Sequence, residues 1–267
     1  MSDLTFFVWS DTHFGYEQRF ADGDLRGDVV TQMNRLPGWP YPPEVGGAVA
    51  APAFVMHCGD IIDGEHHGEA GLALRRYFTA GLRFPVYETL GNHDLHEPFL
   101  SVFRQQYGGA SYSFAAGGCH AIALAGEYDA AEVGTIGADG LAFLRRDLAT
   151  VAAGTPILLF THSRLDRVRH GADVLTLLAG HRVVAIVSGH LHRPAYHRLN
   201  GIACLDVGHC RNHPQDPESG RSFSVVRLQG GTLSALAWRW DCRDWDRGQR
   251  QAGYPALAGR AFVNLPY

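Results

Sequence analysis

Seven side chains of the types that bind metal ions follow short apolar segments of this chain. The segments are rich in β-branched and aromatic residues and are bounded by glycine or polar residues, as is typical of buried strands. Five segments end in this way, at 6–10, 53–56, 85–90, 157–161 and 183–188. The side chains that follow them are Asp11, His13, Asp60, Asn92, His162, His190 and His192. Because ligands bind outside the carboxyl ends of strands in α/β sheets, we expect these side chains to meet in one site.

No single block of this pattern is diagnostic. Asp11-Thr12-His13 alone is usually a polar loop, and Gly91-Asn92-His93-Asp94 also suits a turn, because Gly and Asn tolerate left-handed backbone. His162 alone is more often an ordinary histidine at a strand end. What predicts a metal site is that every block falls at the same kind of strand end.

The donor types indicate which ions would bind. Carboxylate, imidazole and amide oxygen without thiolate suit Zn, Mn, Fe or Co. Seven donors are too many for one tetrahedral ion, but they suit two ions that share a bridging carboxylate. Two ions roughly 3.5–4 Å apart would clamp the attacking and leaving oxygens of a phosphoryl displacement and acidify the water between them. His93, beside Asn92, is better placed as an acid than as a ligand, and Asp94 could orient its imidazole.

The ordered blocks resemble those of the calcineurin-like metallophosphoesterases. They are Asp11-x-His13, Gly59-Asp60, Gly91-Asn92-His93-Asp94, the isolated His162 and Gly189-His190-x-His192. Each block alone is weak, but the ordered set, which spans residues 11 to 192, is very specific. The resemblance implies an α/β fold, a four-layer αββα sandwich of two mixed β-sheets with flanking helices.

The resemblance also implies how the site is divided. One metal ion would be held by Asp11, His13, Asp60 and His192. The other would be held by Asp60, Asn92, His162 and His190, with Asp60 bridging the two. His93 would act as general acid or as a donor to the phosphoryl oxygen, and a metal-bridging hydroxide would attack phosphorus. The expected ions are two of Mn, Fe or Zn.

The substrate is less constrained, because phosphomonoesterases, phosphodiesterases, nucleases and pyrophosphatases share these blocks. The compact spacing and the ending Gly189-His-Leu-His-Arg-Pro194 most resemble small bacterial phosphodiesterases. No arginine closely follows His93 as in protein phosphatases, since Arg104 is the next one. We therefore expect a small phosphodiester substrate, with a phosphomonoesterase or a non-catalytic scaffold as alternatives. Arg19, Arg164 and Arg193 lie near the blocks without an assigned role.

Composition excludes several other classes. The formal net charge of −4 predicts no general attraction to nucleic acid or to an anionic membrane, and the chain has no lysine. The five cysteines show no Cys-x-x-Cys spacing, so no disulfide framework or zinc ribbon is indicated. No apolar stretch approaches 18 residues and no signal segment is visible, which predicts a cytoplasmic protein without a membrane span. The sequence leaves open whether the chain forms a homo-oligomer.

The organisation predicts one metallophosphoesterase domain over residues 1–267, with 238–267 as a C-terminal arm. The arm is aromatic and could be a packing arm, a dimer contact or a flap. The proline-rich stretch at 37–52 could cap a cleft or be a rigid connection. Helical patterns cover 28–36, 68–80, 98–106, 141–151 and 173–179, and strands beyond the site segments are predicted at 111–114, 120–125, 195–199, 202–207, 223–228 and 233–238. Further histidines that could line the substrate mouth or border the site are His66, His67, His96, His209 and His213.

Overall fold

Two β-sheets packed face to face form the centre of the fold in the computed structural model, which describes residues 3–16, 26–129, 133–210, 221–246 and 262–266. The first sheet has seven strands: β1 Leu4–Trp9, β2 Val55–Cys58, β3 Val86–Thr89, β12 Ser222–Gln229, β13 Thr232–Arg239, β14 Asp244–Trp245 and β15 Phe262–Pro266. Its order is β14-β13-β12-β1-β2-β3, and β15 also pairs with β13. β1, β2 and β3 are parallel, whereas β12 runs antiparallel to β1.

The second sheet has six strands: β4 Tyr112–Ala116, β5 Cys119–Ala123, β8 Ile157–Phe160, β9 Val183–Ser188, β10 Ala195–Leu199 and β11 Ile202–Asp206. Its order is β10-β11-β9-β8-β5-β4, with β5, β8, β9 and β11 parallel to one another. Two further short strands, β6 Glu127–Tyr128 and β7 Gly134–Thr135, form a separate hairpin between β5 and β8.

Five helices connect the strands: α1 Arg26–Arg35, α2 Gly64–Gly81, α3 Phe99–Tyr107, α4 Ala138–Leu148 and α5 Gly171–Leu178. Parallel neighbours need a crossover connection. α1 lies between β1 and β2, α2 between β2 and β3, α4 between β5 and β8, and α5 between β8 and β9. The predicted helical patterns correspond to α1–α5, with shifted ends. The largest shift is in α2, which begins at Gly64, four residues before the predicted start, and so contains His66 and a kink at His67.

The side chains of the second sheet alternate between two cores because successive residues of a strand face opposite sides. Leu158 and Phe160 belong to the core between the sheets, where the Phe160 ring meets Phe6 of the first sheet edge-on at 5.8 Å. Ile157 and Leu159 belong instead to a core with residues of α4 and α5.

The outer face of the first sheet is covered by α1 and α2. Met33 of α1 and Phe78 of α2 are buried in the same core as this sheet, and Phe78 stacks on Phe14 at 5.0 Å. The layers therefore run helix, sheet, sheet, helix, and the predicted four-layer αββα sandwich is confirmed. Within the described ranges, no helix is both long and apolar enough to cross a bilayer.

The described part of the C-terminal arm packs against the first sheet. β14 and β15 both pair with β13, and Trp238, Trp240 and Trp245 are buried. The loop at 37–52 packs on the same region, since Tyr41 stacks on Trp245 at 5.6 Å. Among the alternatives, these contacts favour a packing arm for the described part of 238–267 and a rigid connection for 37–52. Tyr254 and Tyr267 of the predicted arm lie outside them.

Candidate metal centre

The loops that leave β1, β2 and β3 of the first sheet and β8 and β9 of the second meet at one edge of the sandwich. All seven predicted donors stand on these loops, and three clusters of side chains with metal-ligand geometry form there. The clusters are Asp11, His13 and His192; His13, Asp60 and His93; and Asp60, His162 and His190. His13 and Asp60 each occur in two of the three, and Asp60, the carboxylate of this pair, is the one whose two oxygens could bridge two ions.

Left-handed backbone is concentrated in this site. Five of the eight described non-glycine residues with positive φ belong to the predicted donors: Asp11 (54°), His13 (44°), Asp60 (53°), His190 (66°) and His192 (57°). Such backbone costs energy for residues with a Cβ, and it persists where surrounding structure enforces it, often at functional sites. The strain indicates that these loops are shaped to aim side chains inward.

Glycines allow the loops to approach closely. A Cβ on Gly91 would clash with the backbone nitrogen and carboxylate of Asp60. A Cβ on Gly189 would lie 2.9 Å from Asp11 Oδ2, closer than side chains normally approach. The glycines of the sequence blocks therefore let the donors converge.

Asp11 anchors one side of the centre. Its Oδ1 lies 3.1 Å from His192 Nε2, and its Oδ2 accepts a hydrogen bond from the backbone N–H of His190 at 3.1 Å. The carboxylate is fully buried. Burial raises the pKa of Asp11, but the positive charge of His192 outweighs this and holds the pKa well below its usual range.

His162 anchors the other side. Its Nδ1 donates to the carbonyl of Cys58 at 2.7 Å, which leaves Nε2 as the atom directed into the site. Nε2 lies 3.2 Å from Asp60 Oδ2, 3.2 Å from Asn92 Oδ1 and 3.1 Å from His190 Nδ1. A carboxylate, an amide oxygen and two imidazoles thus face one another.

The electrostatics of these groups fit metal binding. Burial raises the Asp60 pKa, but the charges of His162 and His13 outweigh it, so the pKa stays well below its usual range. Burial lowers the pKa of His162, yet Asp60 and Asp11 raise it to about 10. Metal binding would therefore have to displace a proton from this ring. The donor set of oxygen and imidazole nitrogen suits two borderline divalent ions.

His93 stands beside the donors with its ring partly open to solvent. Its ring centroid is 4.6 Å from that of His13, and its backbone N–H donates to Asp60 Oδ1 at 3.0 Å. Nδ1 of His93 lies 3.5 Å from Asp63 Oδ1. The hydrogen bond to Asp63 raises the pKa of His93 above its usual value. The ring can therefore carry a proton at the edge of the centre.

Asp94 does not hold the His93 ring as expected. Its carboxylate accepts backbone hydrogen bonds from Ile61 and Ile62 at 2.9 Å and from Gly91 at 2.8 Å, so it ties two site loops together. Burial, followed by the charge of Asp60, raises the pKa of Asp94 to about 7. The carboxylate that faces His93 is Asp63.

The sequence did not single out Asp63, which lies between the Asp60 block and the helix predicted at 68–80. In the structure it directly precedes α2, at a position where an aspartate is typical of an N-cap. In the structure, its side chain makes no cap hydrogen bond. Tyr128 was also missed, because β6 has only two residues. The Tyr128 ring lies 6.2 Å from that of His162, and its hydroxyl is 2.9 Å from Ser163 Oγ.

Of the histidines outside the predicted donors, His209 does border the site, since its buried ring lies 5.3 Å from that of His192. His57 is buried and pairs with Thr12 Oγ1 at 2.9 Å, and burial lowers the pKa of His57 to about 3. Arg19 and His213 lie outside the described residues. Arg164 is turned toward Asp166 and Asp206.

Comparisons with known proteins agree with this geometry. A family model described as calcineurin-like phosphoesterase matches residues 4–194. Similar solved structures include a dimetal phosphatase from Danio rerio, 14% identical with a TM-score of 0.64, covering 89% of this chain and 96% of that one. At this identity the likeness shows the fold alone.

Two further structures share the fold. GAP50, the anchor in the inner membrane complex of Plasmodium, is 11% identical with a TM-score of 0.58, covering 91% of this chain and 87% of that one. A putative 5'-nucleotidase from Staphylococcus aureus is 14% identical with a TM-score of 0.54, covering 99% of this chain and 54% of that one. A comparison with curated proteins found no match. The family model covers well over half of the chain, which therefore belongs to the calcineurin-like phosphoesterases.

Proposed function

We propose that this chain is a binuclear-metal hydrolase of small phosphate esters that prefers phosphodiesters. The observation that carries the proposal is the convergence of seven donors around the buried carboxylate of Asp60, at the edge where five strands end. Membership of the calcineurin-like phosphoesterases supports phosphoester hydrolysis as the reaction at this site.

The donors divide into two sets that share Asp60. One ion would be held by Asp11, His13, Asp60 and His192, and the other would be held by Asp60, Asn92, His162 and His190. Bound there, two ions supply Lewis acidity toward the phosphoryl oxygens and lower the pKa of water to near neutrality. The chain's own part is to fix this geometry through the backbone hydrogen bonds to Asp11, Asp60 and His162.

His93 delivers a proton to the departing alkoxide. The hydrogen bond to Asp63 raises the pKa of His93, which favours the protonated ring, and the Asp63 carboxylate faces Nδ1 so that Nε2 is left to donate. Asp94 supports this indirectly by joining the Asp60 loop to the Asn92 loop.

Space beside the centre supports the proposed preference for diesters. A pocket of about 440 Å³ opens next to His190, and it is lined in part by Ser163 and Leu191. A phosphomonoester has no second substituent to place there, whereas a diester does. Arg104 is the first arginine after His93 in the sequence and lies on α3, so the Asn92–His93 loop offers no guanidinium of its own to grip the free oxygens of a monoester.

The proposal is tested by hydrolysis of bis(p-nitrophenyl) phosphate beside p-nitrophenyl phosphate, after chelation and again after Mn, Zn or Fe is restored. We expect metal-dependent cleavage with the diester preferred. His181→Ala is a suitable control variant, because His181 precedes β9 at the end opposite His190. Preference for the monoester would replace the proposal with a phosphomonoesterase. Two bound ions without turnover of either compound would favour a scaffold.

A further inference from the structure

The pocket beside His190 is lined partly by residues of the metal centre's loops and partly by residues to which the centre assigns no role. It lies between the β6–β7 hairpin and the loops that follow β8 and β9. Its walls include Val133, Ser163, Arg164, Arg167, His190 and Leu191. His190 belongs to the cluster with Asp60 and His162, so an occupant of the pocket would lie against that half of the centre.

Arg164 forms a fixed wall of this pocket. Its Nε and Nη2 donate to Asp166 at 2.9 and 2.7 Å, and its Nη1 lies 3.4 Å from the buried Asp206. Asp206 in turn accepts a hydrogen bond from Ser188 Oγ at 2.7 Å. Two carboxylates compensate the charge of Arg164, which therefore contributes shape more than net charge.

Arg167 differs from Arg164 in this respect. It is exposed, and none of the described carboxylates lies within ion-pair distance of it. The turn that carries it is fixed, because its backbone N–H donates to the carbonyl of Arg164 at 3.0 Å. No Asp or Glu is found among the described residues that line the pocket. Among the described residues, Arg167 is thus the pocket's guanidinium without a paired carboxylate, and a guanidinium pairs well with carboxylate and phosphate.

The two sides of the centre have different surroundings. His93 clusters with His13 and Asp60, whereas the pocket adjoins His190. If His93 protonates the leaving alcohol, the substituent that stays on phosphorus is free to extend past His190. Val133 and Leu191 supply apolar surface in the same pocket as Arg167.

We propose that Arg167 makes this pocket a subsite for an anionic group, carboxylate or phosphate, carried by the ester substituent that phosphorus retains. This inference rests on the proposed function and names the class of diester that fits it. Arg167 is the residue that sets the specificity, and the contacts of Arg164 with Asp166 and Asp206 hold the Arg164 wall in place.

Binding of reaction products tests the subsite without requiring turnover. Calorimetry on the metal-loaded protein would compare propyl phosphate, 3-ammoniopropyl phosphate, 3-carboxypropyl phosphate and propane-1,3-diol bisphosphate. These compounds have the same chain length and differ in distal charge. We expect an anionic compound to bind about three- to tenfold more tightly than propyl phosphate, and the cationic one to bind most weakly. The two anionic probes distinguish carboxylate from phosphate.

Variants then test whether Arg167 causes the preference for anionic compounds. Arg167→Gln should remove the anionic preference and leave the affinity for propyl phosphate unchanged, while Arg167→Lys should retain part of it. Arg104→Gln on α3 is the matched control, because it removes one exposed charge outside the pocket lining. Equal binding of all four compounds, or an anionic preference that survives Arg167→Gln, would overturn the inference.

Hydrolysis of the matching p-nitrophenyl alkyl diesters separates the two proposals. Turnover of the propyl diester with no advantage of an anionic chain in binding or rate would refute the subsite and keep the phosphodiesterase. An anionic preference in binding without hydrolysis of any diester would keep the subsite and refute the diesterase.

Discussion

Asp60 and His162 lie 3.2 Å apart, between Oδ2 and Nε2, although they come from different sheets. Asp60 follows β2 of the first sheet and His162 follows β8 of the second. Neither is appreciably exposed, and His162 is also bonded to the carbonyl of Cys58, which ends β2. The centre therefore forms only when the two sheets are packed together, and the distances within it depend on how the sheets pack.

The shared position of Asp60 predicts a loss of both ions when it is replaced. Asp60→Asn removes the charge that the imidazoles of His162 and His13 face, without changing the size of the side chain. We expect metal content, measured by elemental analysis after dialysis, to fall from two ions per chain to fewer than one, together with activity. Asp139→Asn, an exposed change on α4, should leave two ions. Retention of both ions in the Asp60 variant would refute a bridging role.

His93 should behave differently, because it is proposed as an acid and not as a ligand. His93→Ala should keep two ions per chain but lower kcat by about 10²–10⁴-fold, the usual contribution of general acid catalysis. The loss should shrink for diesters with a better leaving group, since a weakly basic alkoxide needs less protonation. A uniform loss across leaving groups, or a loss of metal, would contradict the assignment.

Asp63 is expected to act through His93. The hydrogen bond to Asp63 raises the pKa of His93, so Asp63→Asn should lower that pKa toward its ordinary value. Activity needs the protonated ring and declines as pH rises through its pKa. The alkaline limb of the kcat/KM profile should therefore move to lower pH in Asp63→Asn.

Asp173→Asn, which removes an exposed partner of His170, is the control for this pH profile. An alkaline limb that stays in place in Asp63→Asn, with only a uniform fall in rate, would show a structural role for Asp63.

The strand ends, and the convergence of the side chains that follow them, were predictable because each block is local. An apolar strand followed by glycine and a donor is visible within a few residues, as at Gly59-Asp60 or Gly189-His190. The resemblance to a known family rested on the order in which these blocks occur along the chain. The alternation of Leu158 and Leu159 between two cores is also encoded locally, by the period of a strand.

The partners of the donors were not predictable, because they depend on which way a loop turns. Asp63 and Asp94 are both aspartates in loops next to the site, and sequence spacing favoured Asp94 as the partner of His93. In the structure, the Asp94 carboxylate accepts hydrogen bonds from backbone N–H groups, and the carboxylate that faces His93 is that of Asp63. Tyr128 and Arg167 likewise reach the site only through the tertiary course of their loops.

The buried ion pair of Arg75 and Glu88 predicts a large effect on stability. It joins α2 to β3, with Arg75 Nε donating to Glu88 Oε1 at 2.8 Å, and Tyr107 also donates to this carboxylate at 3.2 Å. Both side chains are buried. Glu88→Gln leaves the guanidinium without a counter-charge, and removing one partner of such a pair costs about 3–5 kcal/mol.

Urea unfolding of the metal-loaded protein at neutral pH measures this effect. Arg169→Gln, which breaks an exposed pair with Asp129, should cost no more than about 1 kcal/mol. The double variant Arg75→Met, Glu88→Leu should recover most of the loss, because a matched apolar pair leaves no buried charge behind. If Glu88→Gln proves no more destabilising than Arg169→Gln, water reaches Arg75, and the contact between α2 and β3 is held by packing instead.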